Sequence, residues 1–237
     1  MYKRQDGHRV LNMIEDSPHT TIALTTGLAL GGGLELALSC DYRVGTEKTM
    51  LRFPETSIGI YPGLGGTQRA TRVCGIEAAR FAVLAGNFMD APTATALGFI
   101  THLVDSSEVS HTVSTIASSG KPDDKYPGRP SDPSHPVSFM SKAFYSDANM
   151  GAILSGEVPD GFDPEDKNVA RQLKSLSRAA PVAVRIASDL LDKALSTDLA
   201  AGLQLELDAL DEIFATQDAC EGLSALVEGR RPEYVGS

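Results

Sequence analysis

The stretch GLALGGGLELALSCD, residues 27–41, sets three consecutive glycines between an apolar strand and the start of a helix. Bare glycine backbone lets a ligand approach closely. The N–H groups of a helix's first turn have no partner within the helix and face outward with the positive end of its dipole. Such a place suits a phosphate or the oxygen of a polarised carbonyl. A phosphate loop would continue with Gly-Lys-Ser/Thr, and a dinucleotide fingerprint would space its glycines as GxGxxG. Here Leu34-Glu35 follows instead. A carboxylate on the first turn repels phosphate, which disfavours a nucleotide cradle. The same glycines also permit simple tight strand–helix packing, and the residues alone leave both readings open.

Downstream, FPETSIGIYPGLGGTQR (residues 53–69) places Glu55 after a proline at a strand end and before a glycine-laden turn that leads into another helix. Two carboxyls, one of them held protonated by burial or by its neighbour, make an acid–base couple. Glu47 and Glu77 are also present, and spacing alone does not bring Glu35 to Glu55. Outward from these segments, β-branched Thr20–Thr26 predicts a strand, as do Tyr42–Gly45, Met50–Phe53 and Ile100–Val104. Helices are expected at Leu34–Ser39, Thr67–Val73, Glu77–Ala85 and Thr93–Leu97, with Gly75, Gly86 and Gly98 near their ends. Strand and helix alternate, which is an α/β order.

The rest of the chain is different in kind. Five prolines fall within residues 121–136, too many for a helix or a central strand, so an exposed connection is expected. Beyond Asp163-Pro164 the pattern is helical, with Asp163 and Asp198 as N-caps and Pro181 in a first turn. Leu203, Leu207, Leu210 and Phe214 form one apolar stripe on a helix starting near Asp198.

Composition narrows the function classes. The chain has 237 residues, 42% of them hydrophobic, enough for a sizeable core. Residues 1–105 carry 10 acids and 9 bases, residues 106–156 carry 5 and 4, and residues 157–237 carry 16 and 8. A net charge of −10 argues against nucleic-acid binding. No apolar run is long enough to span a membrane, and no secretory signal opens the chain. Cys40, Cys74 and Cys220 have no pairing or zinc spacing, and the five histidines show no ligand spacing. No metal is expected, and a reduced, cytoplasmic setting is the default.

The two glycine-rich segments together resemble the crotonase superfamily and, within it, the enoyl-CoA hydratases. That family has a GYALGGGCELAL-like segment followed by PE-x-x-x-G-x-x-P-G-x-G-G-T-Q-R, and both patterns occur here in that order and separation. The similarity continues through Gly86 and Ala96–Ile100 to Val104, and returns in DACEGLSALVEGRRP, residues 218–232. The resemblance implies a ββα spiral, here lacking its first strands, with a C-terminal helical segment. It implies hydration of a trans-2-enoyl-CoA to a 3-hydroxyacyl-CoA, of the fatty-acid β-oxidation type, with the CoA thioester as substrate and no further cofactor. Glu35 would activate the water, Glu55 would exchange the proton at Cα, and the Gly32 N–H would take the enolate oxygen. Gly31, Gly63, Tyr61 and Pro62 would border the substrate, although Tyr61 and Pro62 fit simple turn structure equally well. Arg230 would reach a CoA phosphate on a neighbouring subunit, since family members assemble as trimers or dimers of trimers.

Related activities differ at these positions. The 3-hydroxyisobutyryl-CoA hydrolases have glycine where Glu35 stands and aspartate where Gly63 stands, and the isomerases keep a single glutamate. A non-catalytic CoA-binding or assembly module is the alternative from another class. By organisation, residues 18–105 read as a partial crotonase-like core, 106–162 as a Pro-rich insertion and 163–237 as its helical completion. The insertion resembles the hydratase part of archaeal-type fusions with a 3-hydroxyacyl-CoA dehydrogenase, and this resemblance implies such a dehydrogenase as a fused or associated partner. Residues 1–17 read as a remnant or foreign front, with Met1–Gln5 foreign to the family. The resemblance leaves the other oxyanion donor unmatched, so the chain alone is expected to be catalytically impaired.

Overall fold

The computed structural model describes residues 2–237, with side chains from Asp6 onward. The expectation about Met1–Gln5 falls on Met1 and side chains outside the described residues. A first helix, α1 (Tyr2–Glu15), leads into β1 (Ile22–Thr25), β2 (Leu28–Leu30) and helix α2 (Gly32–Ser39). The pattern then repeats as β3 (Tyr42–Gly45), β4 (Met50–Arg52), a 3-10 turn (Glu55–Ile58) and α3 (Gly66–Cys74). Next come α4 (Ile76–Val83), β5 (Met89–Asp90), α5 (Ala91–Leu97) and β6 (His102–Leu103).

Each turn of this repeat lays its strands beside those of the turn before. One sheet has the order β1-β3-β6 and the other β2-β4-β5. Ile22 pairs with Tyr42 and Leu28 with Met50, both in parallel register. Parallel neighbours need a crossover, and α2 supplies it. Asp41 fixes the start of the crossover's return by accepting the Thr21 N–H at 2.8 Å and the Thr21 hydroxyl at 2.9 Å. The result is the ββα spiral that the resemblance implies.

Helices make up the remainder: α6 (Val109–Ser119), α7 (Pro136–Phe144), α8 (Asp147–Leu154), α9 (Lys167–Leu176) and α10 (Pro181–Lys193). The last three are α11 (Leu199–Asp208), α12 (Leu210–Phe214) and α13 (Gln217–Glu228). The segment read as a Pro-rich insertion therefore contains three helices, and its longest run without one is residues 120–135. Phe144, Tyr145, Met150 and Ile153 join the same buried cluster as Leu51, Phe53 and Val83, so α7 and α8 complete the main core. Even the irregular stretch is pinned, with Tyr126 and Lys125 donating to Glu15 and the Gly128 N–H bonding the Arg72 carbonyl.

Three local expectations are corrected. Asp163 forms a turn by accepting the Glu165 N–H, and Asp166 caps α9 through the Asn168 and Val169 N–H groups. The expected strand at 100–104 contracts to His102–Leu103 because Phe99 and Ile100 bond back to α5. The stripe from Leu203 to Phe214 is broken where Ala209 ends α11, which rotates Ile213 inward and leaves Phe214 exposed. Asp198 caps α11, as its position predicts.

Candidate active site

The start of α2 and the turn before α3 converge. Glu35 stands on the first turn of α2, buried, and its Oε1 accepts the Leu64 N–H at 2.7 Å and the Gly66 N–H at 2.8 Å. Glu55 opens the 3-10 turn and is also buried. Gly31 lies against it: a Cβ there would stand 2.3 Å from Glu55 Oε1, and the residue sits at φ +49°. Only glycine meets both demands. The Gly31 N–H donates to the Arg52 carbonyl at 3.0 Å, which ties the glycine bend to the strand that delivers Glu55. The two glutamates are thus brought to the same end of α2, beside Gly32.

The electrostatics follow from this closeness. Burial pushes the Glu35 carboxyl well above the usual carboxylate range, and the carboxylates of Glu206 and Glu55 push it further. The two N–H bonds from Leu64 and Gly66 offset part of that rise. A carboxyl in this state has a proton affinity closer to that needed for proton transfer near neutrality.

The other sequence-predicted residues divide. Gly63 and Pro62 are buried in the turn, and the Gly63 carbonyl bonds His8 Nε2 at 2.9 Å. Tyr61 is a core residue: its hydroxyl donates to the Glu206 carbonyl at 2.6 Å, so turn structure accounts for it. Arg230, at the end of α13, is engaged within the chain by Glu221 and Glu228, both at 2.5 Å. Its guanidinium therefore meets its own acids first.

Four residues that the sequence reading passed over build the site's frame. Leu64 covers the start of α2, its side chain lying 3.4 Å from where a Cβ on Gly32 would stand and 2.6 Å from one on Gly7 of α1. Arg69, fully buried, binds Glu15 at 2.7 Å and the Leu64 carbonyl at 3.1 Å, which fastens α1 to the turn. His8 and Glu206 complete the contact from α1 and α11. Glu206 carried a readable signal, since it stands among Leu203, Leu207 and Leu210 on an apolar face.

Cavities of about 610 Å³ along α8–α10 and about 350 Å³ between β4, β5, α5, α7 and α9 lie away from the pair, and neither is lined by Glu35 or Glu55. Among the described residues no group of three or more His, Cys, Asp or Glu could hold a metal ion. No described helix is long and apolar enough to cross a membrane.

Comparison with known proteins bears on the family and the fold. The chain is 32% identical to YngF of Bacillus subtilis over 228 residues, covering 96% of this chain and 66% of that protein. It is 30% identical to the mitochondrial methylglutaconyl-CoA hydratase of Mus musculus, covering 96% of this chain and 56% of that protein. The enoyl-CoA isomerase/hydratase fer4 of Mycosarcoma maydis is also 30% identical, with 98% of this chain and 65% of that protein covered. The chain thus spans between 56% and 66% of the length of these relatives. In fold it matches an enoyl-CoA hydratase from Rhodobacter sphaeroides at a TM-score of 0.78 and 21% identity, over 100% of this chain and 70% of that one. The sequence profile of the enoyl-CoA hydratase/isomerase family matches residues 4–235, a span that takes in α1 as well as both glycine-rich segments, and the chain belongs to that family.

Proposed function

We propose that this chain is an enoyl-CoA hydratase, a lyase that adds water across the double bond of a trans-2-enoyl-CoA to give the 3-hydroxyacyl-CoA. The observation that carries the reading is the pair of buried glutamates at one end of α2, with Glu35 oriented by the Leu64 and Gly66 N–H groups and Glu55 against Gly31. In the reaction, the water oxygen bonds to Cβ while one of its protons passes to Glu35. Glu55, which holds the pair's proton when Glu35 is ionised, delivers it to Cα, and the proton taken up by Glu35 replaces it for the next turnover. The negative charge that gathers on the thioester oxygen in between is met by the Gly32 N–H, at the positive end of α2.

Turnover of crotonyl-CoA, followed as loss of the conjugated chromophore, tests this. Glu35→Gln and Glu55→Gln should each lower the rate by about 10²–10⁴-fold, the range for a lost general acid or base. Turnover that neither substitution slows would overturn the assignment. Binding of crotonyl-CoA without turnover would favour the non-catalytic module instead. A second reading, double-bond isomerisation, draws support from the family description and from the name of the fer4 relative. Supplying a 3-enoyl-CoA separates the two, because an isomerase yields the 2-enoyl product and a pure hydratase leaves the substrate unchanged.

A further inference from the structure

Glu206 is fully buried on α11, yet its carboxyl does not point into an apolar void. Its Oε1 accepts the Gly65 N–H at 2.5 Å and lies 3.4 Å from His8 Nε2, and its Oε2 accepts the Thr67 hydroxyl at 2.5 Å. Consecutive amides of one turn therefore serve two carboxyls in alternation: Leu64 to Glu35, Gly65 to Glu206, Gly66 to Glu35.

Two buried carboxyls this close cannot both be ionised cheaply, so one carries the charge and the other a proton. The hydrogen-bond partners decide which. Gly65 N–H can only donate. His8 Nε2 faces the Gly63 carbonyl at 2.9 Å, which only accepts, so that nitrogen bears its hydrogen. Thr67 Oγ1 already accepts from Gln68 Nε2 at 3.1 Å, which leaves its own proton for Glu206. A protonated Glu206 would thus face two donors, the Gly65 N–H and the Thr67 hydroxyl, with no acceptor beside them for its proton. Glu35 takes both of its N–H bonds on Oε1, which leaves Oε2 as the oxygen available to a proton.

We propose that Glu206 is a positioning residue for Glu35: its buried carboxylate, set across the 64–66 turn, keeps a proton on Glu35 in the resting protein and sets the pH at which Glu35 becomes a base. The influence of Glu206 on the proton affinity of Glu35 exceeds that of Glu55, in keeping with this arrangement. Other charged or titratable groups on the surrounding elements include Glu55 of the 3-10 turn, Asp6, His8, Arg9 and Glu15 of α1, and Arg69 and Arg72 of α3; Arg69 is paired with Glu15, Arg9 with Asp6, and Arg72 donates to the Thr197 carbonyl, while the Tyr61 hydroxyl donates to the Glu206 carbonyl. The catalytic meaning rests on the hydratase reading, whereas the proton's location does not.

The test is a pH titration of the full chain labelled with ¹³C at the glutamate carboxyls and followed by NMR. One carboxyl resonance should titrate well above the exposed ones and vanish in Glu35→Gln. In Glu206→Gln its midpoint should fall by about one pH unit or more, the mark of strongly interacting sites. A high-titrating resonance that survives Glu35→Gln and vanishes in Glu206→Gln would put the proton on Glu206 and overturn the proposal, as would an unmoved midpoint. If Glu206→Gln does not fold, the Glu35→Gln titration still decides where the proton sits: loss of the high-titrating resonance is expected, and its survival would overturn the proposal. With crotonyl-CoA, the acid limb of kcat/KM should shift together with the Glu35 midpoint. Absence of turnover in the unsubstituted chain would count against the hydratase reading alone, and the carboxyl titration still decides this one.

Discussion

Glu35 occupies a place where an ionised carboxyl is poorly accommodated. Because burial and the carboxylates of Glu206 and Glu55 raise its proton affinity, the folded chain retains a proton that the unfolded chain has released. This holds from the ordinary glutamate range up to the Glu35 folded-state midpoint. Stability from this residue is therefore complete below that window and declines as pH rises through it. Glu35→Gln keeps an oxygen for the Leu64 and Gly66 N–H groups and cannot ionise. Its melting temperature should match that of the unsubstituted chain near pH 4 and exceed it at pH 8, with each 1 kcal/mol of relief read as roughly 2–4 °C. A calorimetric pH series checks this, and an increment that does not grow with pH would contradict it. A residue that costs stability in this way is what a site built for proton transfer is expected to contain.

At the scale of elements, the C-terminal helix α13 bears on Glu55. Gly222 packs against the 3-10 turn so closely that a Cβ there would stand 2.3 Å from the Ile58 carbonyl oxygen. Gly222→Ala would gain about 1 kcal/mol of helix propensity. Overpacking against backbone costs about 1–3 kcal/mol, so the net change should be a loss, and the Glu55 turn must shift with it. Reduced melting temperature together with reduced turnover is the expected result. Elements of this part of the chain were legible where the signal was local: the glycines before α2 and α3, the capping Asp198 and the first-turn Pro181 all act within a few residues. What escaped was set at long range. His8 meets Gly63 across 55 positions and Glu206 meets Gly65 across 141, and no periodicity carries such a contact. Helices α7 and α8 were hidden for another reason, since prolines before them marked the region as a connection while their apolar residues are too few for a long stripe. The three-residue β2 is defined by its pairing with β4 more than by its own composition.

On the scale of the whole molecule, β1 and β2 each end a sheet, and Leu24, Leu28, Leu30 and Leu36 stand exposed around them, Leu28 at 70%. Unpaired edges beside apolar surface invite pairing with another chain. Concentration-dependent association is expected in sedimentation, and Leu24→Lys with Leu28→Lys should suppress it. A single monomeric species at every concentration would argue otherwise. The wider architecture has one more consequence. The irregular run at 120–135 separates a front portion, which carries both sheets, from a back portion of helices, and α10 packs directly on α3 and α4 while α11 packs on α3. A protease site introduced between Asp123 and Asp124 would sever the polypeptide without removing any of that shared interior. The two halves should then travel as one particle after cutting, and the 64–66 turn, gripped from before and beyond the cut, would make the clipped molecule a natural two-piece reporter.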